Sequence, residues 1–303
     1  MRRARVGSDS VRSLLTAAAF ALCAMPASAQ QKVSARRATT SDPSVRLFAS
    51  VGTVRVIGWD RDSVEITGAV ASGSEVGGFG PPAPTPVSAL KFFIEAPTEK
   101  AGREGTLTIR VPRNARVWLK TGSADLTVSD VTGGLDLNVV GGSITVHGSP
   151  RELRAESMDG AVTIDGAPEW ARVKTATGDI SLRGGTNVGA STISGAIVAT
   201  GGQADHLTLE TTTGTIRFAL ALARGASVQM ETHSGPIDIQ LARPTDVEVD
   251  AATVTGAIEN GWTRAKPEIG REGRGMTLTT SGGLTAGRMV VRSFKGRISL
   301  RGS

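Results

Sequence analysis

The chain has 303 residues, of which 39% are hydrophobic, with 38 glycines, no tyrosine and one cysteine, Cys23. From residue 30 onward there is no cysteine, so disulfides cannot hold the fold together, whatever the compartment. The formal net charge of +6 falls to +3 over the same residues, and the four tryptophans are widely spaced. This composition excludes a disulfide scaffold and argues against nucleic acid as a partner.

The first 29 residues have the organisation of a secretory signal peptide. Four arginines come first, an apolar stretch over 14–25 follows, and the small residues Ala27, Ser28 and Ala29 come next. We therefore expect cleavage after Ala29 and export to the periplasm, the outer surface or the extracellular space. No later segment is long and apolar enough to predict a transmembrane segment.

The rest of the chain divides into three predicted parts. Residues 30–43 are expected to form a disordered N-terminal linker. Residues 44–115 are expected to form N-terminal β coils and a cap, with a flexible loop over 72–86 that is rich in Gly and Pro. Residues 116–303 carry regular repeats and are expected to form the body of the fold.

The repeats recur at intervals close to 18 residues. In nine of ten copies the turn position is glycine, and in nine of ten a Ser or Thr stands three places before it. The turn positions are Ala124, Gly142, Gly160, Gly178, Gly195, Gly214, Gly235, Gly256, Gly282 and Gly296. Two places after them stand the aliphatic residues Leu126, Ile144, Val162, Ile180, Ile197, Ile216, Ile237, Ile258, Leu284 and Ile298. Fixed self-similarity of this kind is typical of stacked-repeat proteins.

These repeats predict an all-β fold, a single-chain, β-helix-like β-solenoid of about ten or more short two-strand coils with an N-terminal capping region. Apolar and polar residues alternate with the period of two that strands require. We expect Ile180 and Ile197 to be buried in one column, and the corner glycines to adopt positive φ. The Ser and Thr column should form a hydroxyl ladder, and residues 260–275 should form a loop.

Several segments resemble the DUF4097 family of bacterial β-strand-repeat proteins, which are labelled adhesins by analogy. The resemblance rests on residues 52–60 (GTVRVIGWD), 64–66 (VEI), 107–112 (LTIRVP) and corners such as 175–180 (TATGDI). It covers nearly all of the chain after the predicted signal peptide and implies the same repeat fold. The family has no agreed catalytic or binding residues, so the resemblance implies none here.

No constellation typical of catalysis is evident in the sequence. A solenoid enzyme would align carboxylates after the corner glycine, but that position holds Asp125, Ser143, Ala161, Asp179, Ala196, Thr215, Pro236, Ala257, Gly283 and Arg297. Asp159 and Asp179 could come close across adjacent corners, although aspartates that form turns explain them better. The three histidines occupy different repeat positions, so we expect no metal or cofactor. Trp118 is the strongest candidate for sugar stacking, but no aromatic series in register supports it.

Basic residues accumulate near the C-terminus, with nine basic and two acidic residues over 262–303. Those on the last predicted coil are Arg288, Arg292, Lys295, Arg297 and Arg301. Two interpretations stay open. The charges could attract an anionic partner through their field, or they could protect the exposed edge of the last coil from association.

The sequence therefore predicts an exported, non-enzymatic module of the bacterial envelope, adhesin-like in binding or structural in role. The expected partner is envelope polysaccharide or another anionic surface polymer, and the expected state is a monomer. Two alternatives stay open: a solenoid enzyme that acts on polysaccharide, and a scaffold that assembles end to end.

Overall fold

The computed structural model of the protein describes residues 30–78, 85–242, 244–270 and 273–302. The predicted signal peptide lies outside the described residues. Within them the chain forms 24 β-strands and one four-residue helix, so the prediction of an all-β fold is confirmed.

The first strands are β1 (Gln30–Ala49), β2 (Thr53–Trp59), β3 (Ser63–Ala71), β4 (Glu75–Gly77) and β5 (Val87–Glu95), followed by helix α1 (Glu99–Gly102). The middle strands are β6 (Thr106–Pro112), β7 (Arg116–Ser123), β8 (Asp125–Ser129), β9 (Gly134–Gly141), β10 (Ile144–His147), β11 (Glu152–Ser157), β12 (Val162–Asp165), β13 (Trp170–Thr175), β14 (Ile180–Arg183), β15 (Gly185–Thr192) and β16 (Ile197–Thr211). The last strands are β17 (Ile216–Thr232), β18 (Ile237–Leu241), β19 (Val247–Thr253), β20 (Ile258–Gly261), β21 (Glu268–Ile269), β22 (Met276–Thr279), β23 (Gly287–Ser293) and β24 (Ile298–Gly302).

Most strands stack in two parallel columns. A first-column strand leads into a corner, a second-column strand leaves it, and the two together are called a coil below. Equivalent positions of successive coils pair in register, for example Leu126 with Ile144 and Ile144 with Val162. Ile180 pairs with Ile197 and both side chains are 0% exposed, which confirms their predicted burial in one column. The core therefore lies between the two columns and runs the length of the stack.

Eleven coils are stacked among the described residues. The first column runs in space through β5, β1, β7, β9, β11, β13, β15, β16, β17, β23 and β19. The second column runs through β6, β2, β8, β10, β12, β14, β16, β17, β18, β24 and β20. At a strand spacing of about 4.8 Å the stack is about 50 Å long.

The spatial order of the coils departs from chain order at both ends. The coil of β1 and β2 is second in the stack, because β5 and β6 form the first. The coil of β23 and β24 is tenth, because β19 and β20 form the eleventh. The last coil of the chain therefore pairs on both sides, and the idea that its basic residues protect an open edge is wrong.

Antiparallel strands cover both ends of the stack. At the first end β3 pairs with β6 and with the N-terminal half of β1, and β4 pairs with β5. At the other end β22 pairs with β19, and β21 pairs with β22. Because parallel ladders leave unpaired backbone groups at their last strand, these pairings remove much of the exposed edge.

The N-terminal part of the chain differs from its prediction in two places. Residues 30–43 are not a disordered linker but part of β1, because Gln30–Ala38 pairs with β3, and Val33 and Thr39 are buried. The loop expected over 72–86 contains strand β4, and its residues 79–84 lie outside the described residues.

The ninth predicted repeat copy is not a coil. Leu284 is 108% exposed, although its position in the repeat predicts burial. The chain from β20 to β23 instead forms the antiparallel strands β21 and β22 and a loop, in which the backbone N–H of Gly283 donates to Asp246 Oδ1 at 2.7 Å. The insertion expected over 260–275 therefore extends to residue 286 and contains strands as well as loop.

The corner glycines are required by close stacking rather than by their φ angles. Of the eight turn-position glycines that lie at true corners, only Gly142 has a positive φ, at 127°, so the prediction of positive φ is wrong for the others. At Gly178 an added Cβ would overlap the carbonyl oxygen of Gly160, and at Gly214 that of Gly195. At these glycines the neighbouring corner lies so close that a side chain does not fit between the two corners, whereas the corner of coil 3 holds Ala124.

The buried Ser and Thr column supports these corners through the backbone. In six coils the hydroxyl oxygen accepts from the N–H of the corner glycine three residues later, as Ser293 does from Gly296 at 2.7 Å. Several hydroxyls also donate to the glycine carbonyl of the neighbouring coil, as Ser157 does to Gly142 at 3.0 Å. The expected hydroxyl ladder is limited to one described bond, from Thr175 to Thr192 at 2.9 Å.

Candidate functional site

The corner carboxylates serve the turns. Asp125 Oδ1 accepts from the backbone N–H of Ser143 at 2.9 Å and from its hydroxyl at 2.7 Å, and Asp179 Oδ1 accepts from the N–H of Ala196 at 2.7 Å. The backbone N–H and then the hydroxyl of Ser143 hold the pKa of Asp125 below its ordinary value. Asp159 accepts only a weak bond from Thr177 at 3.3 Å. These contacts account for Asp125 and Asp179 as turn residues.

The histidines form isolated contacts. His147 Nδ1 lies 3.4 Å from Asp165, and His233 stacks on Phe294 with ring centroids 5.0 Å apart. In the part of the chain that the structure describes, no three His, Cys, Asp or Glu side chains are grouped so that they could hold a metal ion.

The basic residues of the last coil do not share one face. Arg288 and Arg292 lie on the first-column strand β23, whereas Arg301 lies on the second-column strand β24, with Lys295 and Arg297 around the corner. Arg292 is bound to Asp250 at 2.7 Å, and Arg297 lies 3.7 Å from Asp238 and 3.9 Å from Glu259. Nearby carboxylates therefore offset much of their charge.

Charge is divided along the outer face of the first column, which consists of the side chains that point away from the core. In coils 1 to 6 this face carries seven cations, Lys91, Arg46, Arg116, Lys120, Arg154, Arg172 and Lys174. The same six coils carry four carboxylates there, Glu95, Asp136, Glu152 and Glu156. In coils 7 to 11 the balance is reversed, with Arg288 and Arg292 against Glu210, Glu231, Glu248 and Asp250.

A groove of about 520 Å³ opens within the cationic half of this face and crosses coils 1 to 5. Trp118 lines it, in register with Arg46 on one side and Asp136 on the other. Arg116 lies beside Trp118 on the same strand, in register with Ser44 and Gly134, which leave open space on both sides of it. The groove therefore combines an aromatic side chain, accessible cations and a glycine gap.

The sequence did not reveal this groove. In the sequence Trp118 is an isolated aromatic residue, and its partner Phe48 lies 70 residues earlier, in a coil that reaches Trp118 only because β1 is second in the stack. Arg46, Lys91 and Arg116 come from three separate segments. The sequence feature that links them is their position in the repeat. Once β1 and β5 are assigned to the first column, these side chains fall at outward positions of neighbouring coils.

The fold and the site together define an all-β repeat protein with a grooved, charge-divided outer face. The family model of DUF4097, described as Toastrack, matches residues 28–266, so the chain belongs to this family and the resemblance inferred from its motifs is confirmed.

Two solved structures are similar over most of their length. A "putative adhesin" from Bacteroides fragilis is 12% identical, with 91% of this chain and 99% of that chain covered and a TM-score of 0.44. A "putative cell adhesion protein" from Clostridium sporogenes is 10% identical, with 91% and 100% covered and a TM-score of 0.28. No curated protein matches the chain. Over the described ranges, no helix is long and apolar enough to cross a membrane.

Proposed function

We propose that this protein is an exported, non-enzymatic β-solenoid of the bacterial envelope that binds an anionic surface polymer. The observation that carries the proposal is the excess of cations on the outer face of coils 1 to 6, where seven cations stand against four carboxylates along about 25 Å of parallel strands. A linear polyanion can lie along such a face, because cations from successive coils can meet its acidic groups. The field of clustered charge also raises the local concentration of the polymer.

The adhesin label of the similar proteins and the predicted signal peptide support this assignment. The corner carboxylates Asp125 and Asp179 accept hydrogen bonds within the turns, and this structural role supports a non-enzymatic function. Antiparallel strands cover both ends of the stack, and this supports a protein that acts as a single stack rather than as a scaffold that assembles end to end. The basic residues of the last coil are a weaker candidate site, because Arg292 and Arg297 already have carboxylate partners.

A binding titration of residues 30–303 with polygalacturonate at two salt concentrations tests the proposal. Replacing Lys120, Arg172 and Lys174 with Gln should weaken binding severalfold, and higher salt should reduce the difference, because exposed charges are screened within about 8 Å at physiological ionic strength. The matched control replaces Arg288, Lys295 and Arg301 of the last coil with Gln, which removes the same number of charges, and should leave binding unchanged. Binding that is lost only in the control would transfer the site to the last coil.

The same samples test the alternatives. Release of reducing ends or unsaturated products from polygalacturonate, abolished by Asp159→Asn or Asp179→Asn, would favour the enzyme. Light scattering that shows mass growing with protein concentration would favour the end-to-end scaffold. Absence of any salt-sensitive binding would contradict the proposal itself.

A further inference from the structure

The groove on coils 1 to 5 has the features of a small-molecule site, beyond a charged surface. Its volume of about 520 Å³ falls within the range of about 300 to 1,000 Å³ that is usual for ligand pockets. Trp118 and Phe48 form an edge-to-face pair with ring centroids 4.7 Å apart, and both line the groove. The pair orients Trp118, which is only partly buried, so an aromatic surface borders the groove.

The cations beside this aromatic pair are available to a ligand. Arg46 and Arg116 form no salt bridge with any described residue, and Lys91 contacts only the ring of Phe48, at 5.5 Å. Of the two carboxylates that line the groove, Glu152 is already paired with Arg154 at 3.0 Å. Three cations therefore face one carboxylate without a salt bridge, Asp136, which accepts from the side-chain amide of Asn138 at 2.7 Å, and the groove favours a ligand with negative charge.

The gap at Gly134 gives the groove its room next to Arg116. The nearest atom to a Cβ built at Gly134 is Cγ of Arg116, at 3.7 Å, so a side chain there would fit without backbone strain but would occupy the groove. Its strand neighbour on the other side is Glu152. A residue larger than glycine would thus remove space without removing charge.

We propose that this groove is the binding site for an acidic sugar unit, whose ring packs against Trp118 and whose carboxylate pairs with Arg116 and Arg46. This inference rests on the proposed function and specifies it, because it assigns the recognised unit of the polymer to one site. An apolar ring face stacks on an aromatic side chain, and a guanidinium binds a carboxylate through charge-assisted hydrogen bonds. A flexible acidic peptide offers the carboxylate without the ring.

Calorimetry with tetragalacturonate, the neutral tetrasaccharide cellotetraose and hexaglutamate tests the site. The wild-type protein should bind tetragalacturonate at least about tenfold more tightly than the other two, the margin expected when both stacking and a charge-assisted bond contribute. Trp118→Ala should weaken binding severalfold, up to about tenfold, because it removes the aromatic face on which the sugar ring packs.

Gly134→Leu is the decisive variant, because it fills the groove and keeps every charge. It should lose binding of tetragalacturonate at least about tenfold, the effect of blocking the stacked ring. The matched control is Gly189→Leu, on the same outer face at coil 7, where an added Cβ meets no atom within 4 Å. Thermal melts of both variants verify that each remains folded.

The outcomes separate this inference from the proposed function. If Gly134→Leu binds tetragalacturonate as the wild type does, or if hexaglutamate binds equally well, the groove is not a sugar site, although binding of polygalacturonate would still support the proposed function. If neither tetragalacturonate nor polygalacturonate binds the wild type, the proposed function fails together with the site.

Discussion

Replacing Gly178 with Ala tests why the corners need glycine. A Cβ at this position would lie 2.5 Å from the carbonyl carbon of Gly160, whereas ordinary contact begins near 3.4 Å. The corner of coil 6 would therefore have to move by about 1 Å away from coil 5, more than close-packed interiors accept without strain.

That movement would weaken three hydrogen bonds between the coils. They run from the N–H groups of Ala176 and Thr177 to the carbonyl of Met158, and from the N–H of Val162 to the carbonyl of Asp179. At about 1 kcal/mol for each bond, with added strain, the free energy of unfolding should fall by about 3 to 5 kcal/mol. The melting temperature should then fall by about 10 °C.

Gly122→Ala is the matched control, because a Cβ at this position, near the end of β7 in coil 3, meets nothing within 4 Å. Its stability should stay within about 0.5 kcal/mol of the wild type. Gly178→Asn distinguishes sterics from backbone conformation, since Asn tolerates positive φ better than Ala. Urea titrations followed by circular dichroism give all three values. A Gly178→Ala protein as stable as Gly122→Ala, or clear rescue by Asn, would refute the stacking explanation.

Ile180→Asp places a charge in the closed column between the strands and should abolish cooperative folding; a soluble variant with a sharp melt would count against the column. Asp125 has a lowered pKa in the folded protein, so its ionised form stabilises the fold at pH values above its ordinary pKa, and this contribution is lost as the pH falls through the folded-state pKa. Melting temperatures measured between about pH 7 and pH 3 should show the deficit of Asp125→Asn relative to the wild type shrinking on acidification. A constant deficit would contradict this. Deletion of 287–303 removes a coil that lies between two others, so it should unfold the C-terminal half; a chain shortened by one coil with little loss in stability would show that the coils follow chain order.

The repeats that form the body of the fold could be predicted because their signals lie close together in the sequence. The aliphatic residue after each corner and the Ser or Thr before it repeat in sequence, so Ile180, Ile197 and Thr211 could be assigned to the core directly. Strand alternation then fixes which side chains point outward. Family membership followed from short motifs for the same reason.

The exchange of coils at both ends was not predictable from the sequence. Successive coils present similar aliphatic columns, so the edge of β17 could accept either β19 or β23 with comparable burial. Leu284 shows the same ambiguity, because a spacing that fits the repeat occurs in an exposed loop. Glycine at a corner can be required either by a positive φ or by close approach of another chain segment. Only the stacked geometry shows that close approach is the reason at Gly178.

The groove depends on that exchanged order, which is why single residues did not reveal it. Trp118 alone is an isolated aromatic residue, and it becomes part of a site only when β1 places Phe48 and Arg46 next to it. The combination is visible only when the outward repeat positions of neighbouring coils are compared across the stack rather than along the chain.

Fluorine NMR of protein labelled with 5-fluorotryptophan tests the central claim most directly, because the chain has four tryptophans in four different places. Trp118 lines the groove, Trp170 contacts the groove residue Arg154 at 5.4 Å, Trp59 contacts Arg36 and Arg61, and Trp262 is buried near the far end. Titration with tetragalacturonate should shift the Trp118 resonance most and the Trp170 resonance less, while the other two stay in place. A titration that leaves Trp118 unmoved, or that moves Trp59 or Trp262 instead, would contradict the account.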